Sequence, residues 1–180
     1  MKHLILGLLA LLLVFPSFAQ IKSARLTASG LTCSMCSRAI YKALTKVPSI
    51  SKVDADIEGS SYQIIFRPDA NVNLDDLKTA VEHAGFSVAS LEVTAHFPPT
   101  SIANDTHLVY AGNTYHFLNV PTETISGDLT FKVVDKKFLP DAAYKHYASF
   151  TTMKCVETGR MSVCCTKGSL AGSRVYHITL

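Results

Sequence analysis

Cys33 and Cys36 stand three residues apart in the stretch Gly30-Leu31-Thr32-Cys33-Ser34-Met35-Cys36. At that spacing two thiolates can grip one soft metal ion, cycle as a redox dithiol, or close a structural bridge. The elements on either side decide how the pair is held. Before it, Ala24, Leu26 and Ala28 alternate with Arg25 and Thr27, the period of a half-buried strand. After it, Ala39, Ile40, Ala43, Leu44 and Val47 recur at helical spacing. The pattern places Cys33 in the loop and Cys36 in the first helical turn. Unsatisfied N–H groups and the positive end of the helix dipole there favour negative charge, and so suit thiolate ligands.

A second sulfur-rich group, Met153, Cys155, Met161, Cys164 and Cys165, surrounds Thr158-Gly159-Arg160. Read as a hairpin with a type II′ turn at Gly159-Arg160, it sets Cys155 opposite Cys164 within disulfide reach. A bridge is therefore expected there, with a second copper site as the alternative, since Met and Cys are the donors Cu(I) selects. The histidines His83, His96, His107, His116, His146 and His177 show no paired metal-ligand spacing and read as ordinary surface or barrel residues.

The remaining elements follow from the same periods. Val53, Ala55 and Ile57, then Tyr62, Ile64 and Phe66, read as two strands joined by a turn at Glu58-Gly59-Ser60. Asn73 caps a second helix with Leu74, Leu77 and Val81 facing inward, and Gly85 stops it. Phe86 to Val93 forms a last strand. This α+β order, βαββαβ, is the ferredoxin-like plan.

Pro98-Pro99 breaks the pattern, so residues 96–105 read as a linker between a first domain at 20–95 and a second at 106–180. In the second, His107–Tyr110, Thr114–Val120, Asp128–Val134, Phe150–Glu157, Arg160–Cys165 and Val175–Leu180 read as short strands, with one helix at Asp141–Ala148. That pattern suggests a small β-rich fold, an OB-like barrel or a sandwich.

The segment Gly30 to Cys36 closely resembles the GMTCxxC loop of the heavy-metal-associated domain, found in copper chaperones, the amino-terminal modules of copper-pumping ATPases and the periplasmic mercury-binding protein. The likeness spans residues 21 to 95 by element order and departs at Leu31, where the family usually carries Met. It implies that Cys33 and Cys36 are the metal ligands, and it sets the metal reading above the redox dithiol and the structural bridge. Phe86 falls near where the family places a residue beside the metal loop. Two thiolates suit Cu(I), with Hg(II) and Zn(II) as alternatives, because zinc wants four ligands. Thr32, where an acid would have offered zinc a hard third ligand, tilts the choice to copper. Met35 lies inside the loop as a weak thioether donor or, more simply, an exposed side chain.

Met1-Lys2-His3, the apolar run Leu4 to Phe15 and the ending Pro16-Ser17-Phe18-Ala19 read as a signal peptide over residues 1–19, with cleavage before Gln20. The apolar run is short for a membrane span, so export to the periplasm is expected without membrane insertion of the mature chain. Losing Lys2 turns 17 basic and 14 acidic residues into 16 against 14, a net charge of +2. A chain so nearly neutral, with no basic stripe, lacks the footprint of a nucleic-acid binder. No nucleophile elbow, phosphate loop or supported carboxylate pair points to an enzyme.

The expectation is thus an exported carrier that captures Cu(I) through Cys33 and Cys36 and passes it to copper-transport or copper-accepting proteins. The alternatives are a periplasmic adaptor or sensor acting through the β-rich domain, and a thiol-disulfide oxidoreductase.

Overall fold

Strand β1, Gln20–Ser29, buries Ile21, Ala24, Leu26 and Ala28. The computed structural model describes residues 20–31, 34–162, 165 and 171–180; the leader, Cys33 and Cys164 lie outside the described residues. Helix α1, Ser34–Leu44, follows the loop, and β2, Ile50–Asp56, and β3, Ser61–Phe66, form a hairpin. Helix α2 spans Leu74–His83, and Asn73 caps it by accepting the Asp75 N–H at 3.1 Å. At its far end Gly85 sits at φ +89°, a conformation only glycine adopts cheaply. Gly85 N–H bonds Glu82 O at 2.9 Å and Phe86 N–H bonds Val81 O at 3.1 Å, which closes a Schellman motif.

With β4, Ser87–Ile102, the four strands β2-β3-β1-β4 and both helices reproduce the ferredoxin-like arrangement. Leu26, Tyr62, Ile64 and Leu91 from the sheet pack with Ile40, Leu44, Leu74, Leu77 and Val81 from the helices, all with no exposure. Each such apolar side chain contributes about 1.5–3 kcal/mol on burial. The inward face of α1 differs from the expected one: Ala39 is exposed, and Ser37 is buried in its place. The Tyr62 hydroxyl removes the cost of that burial, donating to the Ser37 carbonyl at 3.2 Å and pairing with Ser37 Oγ at 3.0 Å.

Beyond residue 93 the structure departs from expectation. Strand β4 runs from Ser87 to Ile102, so the expected linker at 96–105 is largely strand. Pro98 and Pro99 fall where the register with the neighbouring strand shifts, between Phe97 and Thr100, and the missing N–H groups cost no ladder bond at such an irregularity. The carboxy-terminal residues extend the first sheet in place of the expected OB-like barrel. Strands β5, His107–Tyr110, β6, Asn113–Phe117, β7, Glu123–Val133, and β8, Val175–Thr179, complete an eight-stranded sheet ordered β2-β3-β1-β4-β7-β8-β6-β5.

Helix α3, Asp141–Ala148, forms where expected. The expected hairpin of Phe150–Glu157 and Arg160–Cys165 does not form. Cys155–Thr158 is instead a one-turn helix, α4, and Gly159 at φ +65° ends it by returning its N–H to Cys155 O at 2.8 Å.

The last strand is tied to the first half of the chain. Tyr176 OH donates to Asn73 Oδ1 at 2.7 Å, and Arg174 bonds the Asp75 carboxylate through Nε at 2.8 Å and Nη2 at 3.3 Å.

Candidate metal centre

The loop that carries Cys33 leaves β1 at Gly30, whose φ of +83° turns the chain toward α1. A side chain there would be strained whatever the space, which explains a glycine at this point. Leu31 packs against the core from a half-buried position, the anchoring role expected of an apolar residue beside the loop. Cys36 stands half-buried in the first turn of α1, and Met35 beside it is 80% exposed. The first turn of α1 carries no acidic side chain to compete with a ligand for the helix N-terminus. Phe86 lies across the same region: a Cβ on Gly30 would stand 3.9 Å from its Cδ1. The family resemblance puts Phe86 near a position beside the loop, with an ordinary core aromatic as the equal alternative; its half-buried ring borders Gly30 and also packs on the core. Cys33 lies outside the described residues, so its distance to Cys36 is not part of this geometry.

The second sulfur cluster has a different composition from the one expected. Cys155, fully buried at the start of α4, faces histidines: its Sγ lies 3.5 Å from His116 Nδ1 and 3.8 Å from His107 Nε2. His107 and His116 are paired directly across the β5–β6 hairpin, and His116 is paired in turn with His177 on the parallel strand β8. Three imidazoles thus form a row across three adjacent strands. Burial, with the neighbouring His107 and His177, pushes the His116 pKa down to about 4, and burial also lowers that of His107.

These histidines were read as unremarkable because their spacing along the chain is irregular. The hairpin held the missing signal. Ala111 and Gly112, both at positive φ (47° and 76°), form a two-residue turn, and counting outward from it sets residue 107 opposite 116.

A fold of this kind, with a cysteine-bearing loop between its first strand and first helix, defines a class of small metal-handling domains. Residues 25–87 match the heavy-metal-associated domain family, and the chain belongs to that family. The mercuric transport protein periplasmic component of Pseudomonas fluorescens is 35% identical over 86 residues, covering 48% of this chain and 93% of that protein. Its namesake in Acinetobacter calcoaceticus is 34% identical over the same length and coverage. Among solved structures, oxidised MerP from Ralstonia metallidurans CH34 is 34% identical, covering 38% of this chain and 97% of that one, with a TM-score of 0.35. The apo and Cu(I)-loaded yeast copper transporter domain Ccc2a is 26% identical over 36% of this chain and 88% of that one, with a TM-score of 0.33.

Proposed function

We propose that this chain binds one soft metal ion through Cys33 and Cys36 and passes it on by ligand exchange. The observation that carries the reading is the position of Cys36, in the first turn of α1 directly after the Gly30 turn, within a heavy-metal-associated domain. A two-coordinate bis-thiolate suits Cu(I) and leaves Zn(II) short of ligands. An incoming partner thiolate attacks the low-coordinate ion, and beside Cys36 the side chain of Met35 is exposed. The partners are metal-transport or metal-accepting proteins, and the chain's role needs no bond-making beyond that exchange.

Hg(II) is the second reading, and a specific observation favours it: relatives 33–35% identical are named mercuric transport proteins. Those names also carry the word periplasmic, which agrees with the apolar leader at residues 1–19 and supports export. Among the described residues, no helix is long and apolar enough to cross a membrane.

The test is competition of the reduced chain, residues 20–180, against calibrated chelators of Cu(I), Hg(II) and Zn(II). One Cu(I) per loop held far more tightly than Zn(II), and lost from that loop in Cys33→Ser and Cys36→Ser, is the expected result. Retention of Hg(II) but not Cu(I) at the loop would decide for mercury. A double serine variant that holds every ion as tightly as the parent would place the carrier site elsewhere.

A further inference from the structure

We infer that His107, His116 and Cys155 form a second metal site, separate from the cysteine loop, whose donor set suits copper. Their three ligand atoms lie within 4.8 Å of one another. A metal bound to sulfur at about 2.3 Å and to imidazole nitrogen at about 2.0–2.1 Å, with angles between tetrahedral and trigonal, holds S and N about 3.6–3.8 Å apart. The two S···N separations are 3.5 and 3.8 Å. The sulfur and both rings are thus already spaced for a shared ion, and the remaining closure is between the two imidazoles, stacked at 4.0 Å between centroids.

The surroundings orient the ligands as metal sites require. Asp105 Oδ1 accepts from His116 Nε2 at 3.0 Å, which keeps the hydrogen on that nitrogen and turns the Nδ1 lone pair toward Cys155 Sγ. The Asp105 backbone also hydrogen-bonds the His107 ring. One residue, held at φ +64°, therefore positions both imidazoles. His177 extends the row, its ring 5.0 Å from that of His116. Its Nδ1 is engaged by Asp135, while Nε2 is buried without a hydrogen-bond partner among the described residues. A buried orphan nitrogen is costly, and it leaves one more donor at the edge of the cluster.

The donor set points to copper. Two imidazoles and a thiolate beside thioethers form a copper-selecting combination, and Met161 and Met153 pack around Cys155. Structural zinc would call for a fourth strong ligand. The order Cys155, His116, Asp105 also matches a nucleophile, its base and an orienting acid. However, Cys155 and His116 have no exposure and a second imidazole stacks on the would-be base, so a substrate has no route to the sulfur, whereas a metal ion is small enough to enter. Counted along the sheet, β6 lies four strands from β1, about 19 Å at the usual spacing, so the two sites can be emptied independently.

The experiment uses the chain from residue 20 to 180, reduced, with Cys33→Ser and Cys36→Ser already in place so that the loop cannot contribute. Titrated with Cu(I) against a calibrated chelator, this variant should retain one copper, and X-ray absorption should show nitrogen as well as sulfur neighbours. Adding Cys155→Ala or His107→Ala should weaken binding by about tenfold or more. His107 is only half-buried, so circular dichroism of that variant separates loss of copper from loss of fold. The proposal is overturned if the double serine variant retains no copper or if neither addition changes its affinity. A Cys155 disulfide that persists in the copper-loaded protein, or Cys155-dependent cleavage of an activated ester, would also overturn it. Tighter binding of Zn(II) than of Cu(I) at these residues would overturn the copper assignment.

Discussion

Gly30 and Phe86 meet at the entrance to the cysteine loop: the position a Gly30 Cβ would occupy is 3.9 Å from the Phe86 ring. That is ordinary van der Waals contact, so space does not forbid a side chain. The backbone does, because φ is +83°. Gly30→Ala should therefore destabilise the chain by about 1–2 kcal/mol through strain alone, read as a lower midpoint in urea. Metal affinity at the loop should fall with it, because the strain is relieved by shifting the turn that sets the start of α1. An unchanged midpoint would mean that the loop relaxes freely.

Tyr62 and Ser37 make buried polar contacts beneath α1, and Ser37 lies one residue from Cys36. Tyr62→Phe keeps the ring and deletes the hydroxyl, leaving Ser37 Oγ buried without that partner. The expected cost is about 1–3 kcal/mol, measured by denaturant unfolding. Ser37→Ala in the same background should recover part of it, since the orphaned group is then gone.

The first half of the fold was legible because its strands and α2 bury apolar residues at clean periods. Tyr62, Ile64 and Phe66 are buried as alternation requires, and Leu74, Leu77 and Val81 form the inner face of a helix whose cap and stop residues stand in the sequence. The face of α1 was misjudged because alanine carries little signal: Ala39 faces out, and a serine satisfied by a distant tyrosine faces in. In the second half, Phe150–Glu157 was expected as a strand leading into a hairpin turn at Gly159-Arg160, yet Cys155–Thr158 is a helical turn and Gly159 acts as its stop. The histidine row was hidden for a different reason. Only half of it follows from a local turn, while His116 meets His177 through parallel pairing of strands some sixty residues apart, which no local pattern encodes.

Asp75 gives the stability a pH dependence. Burial alone would raise its pKa, but hydrogen bonds and charge from Arg174 and Lys78 outweigh it and hold the carboxyl below the usual carboxylate value. A folded-state pKa below the unfolded value means that the carboxylate stabilises the fold fully above the unfolded pKa, and that this contribution disappears as pH falls through the folded one. Asp75→Asn should cost about 1–3 kcal/mol at neutral pH. Thermal melts across pH 2 to 7 should then show a smaller loss on acidification below about pH 4 in the variant than in the parent. Parallel curves would mean that the Arg174 pairing contributes nothing to acid sensitivity.

The final prediction concerns whether residues 20–95 stand alone. They contain the whole βαββαβ pattern, and the curated relatives, whose 86 matched residues are 93% of their length, have little more than this. In this chain, however, β4 continues to Ile102 and is paired on its far side by β7, while Tyr176 of β8 reaches Asn73 and Arg174, just before β8, reaches Asp75. Cutting after residue 95 exposes the β4 edge and removes both of those anchors on the start of α2. At about 1 kcal/mol for an ordinary hydrogen bond and about 1.5–3 kcal/mol for one to a charged group, the loss is a few kcal/mol, a large part of a domain's margin of about 5–15 kcal/mol but less than the whole of it. The fragment should therefore fold, keep the cysteine-loop metal site, and unfold at a clearly lower urea concentration than the full chain. The exposed edge should also make it more prone to self-association on size-exclusion chromatography. A fragment as stable as the parent would show that the two halves fold independently, and a fragment without cooperative unfolding would show that β7 and β8 belong to one folding unit with the cysteine-bearing half.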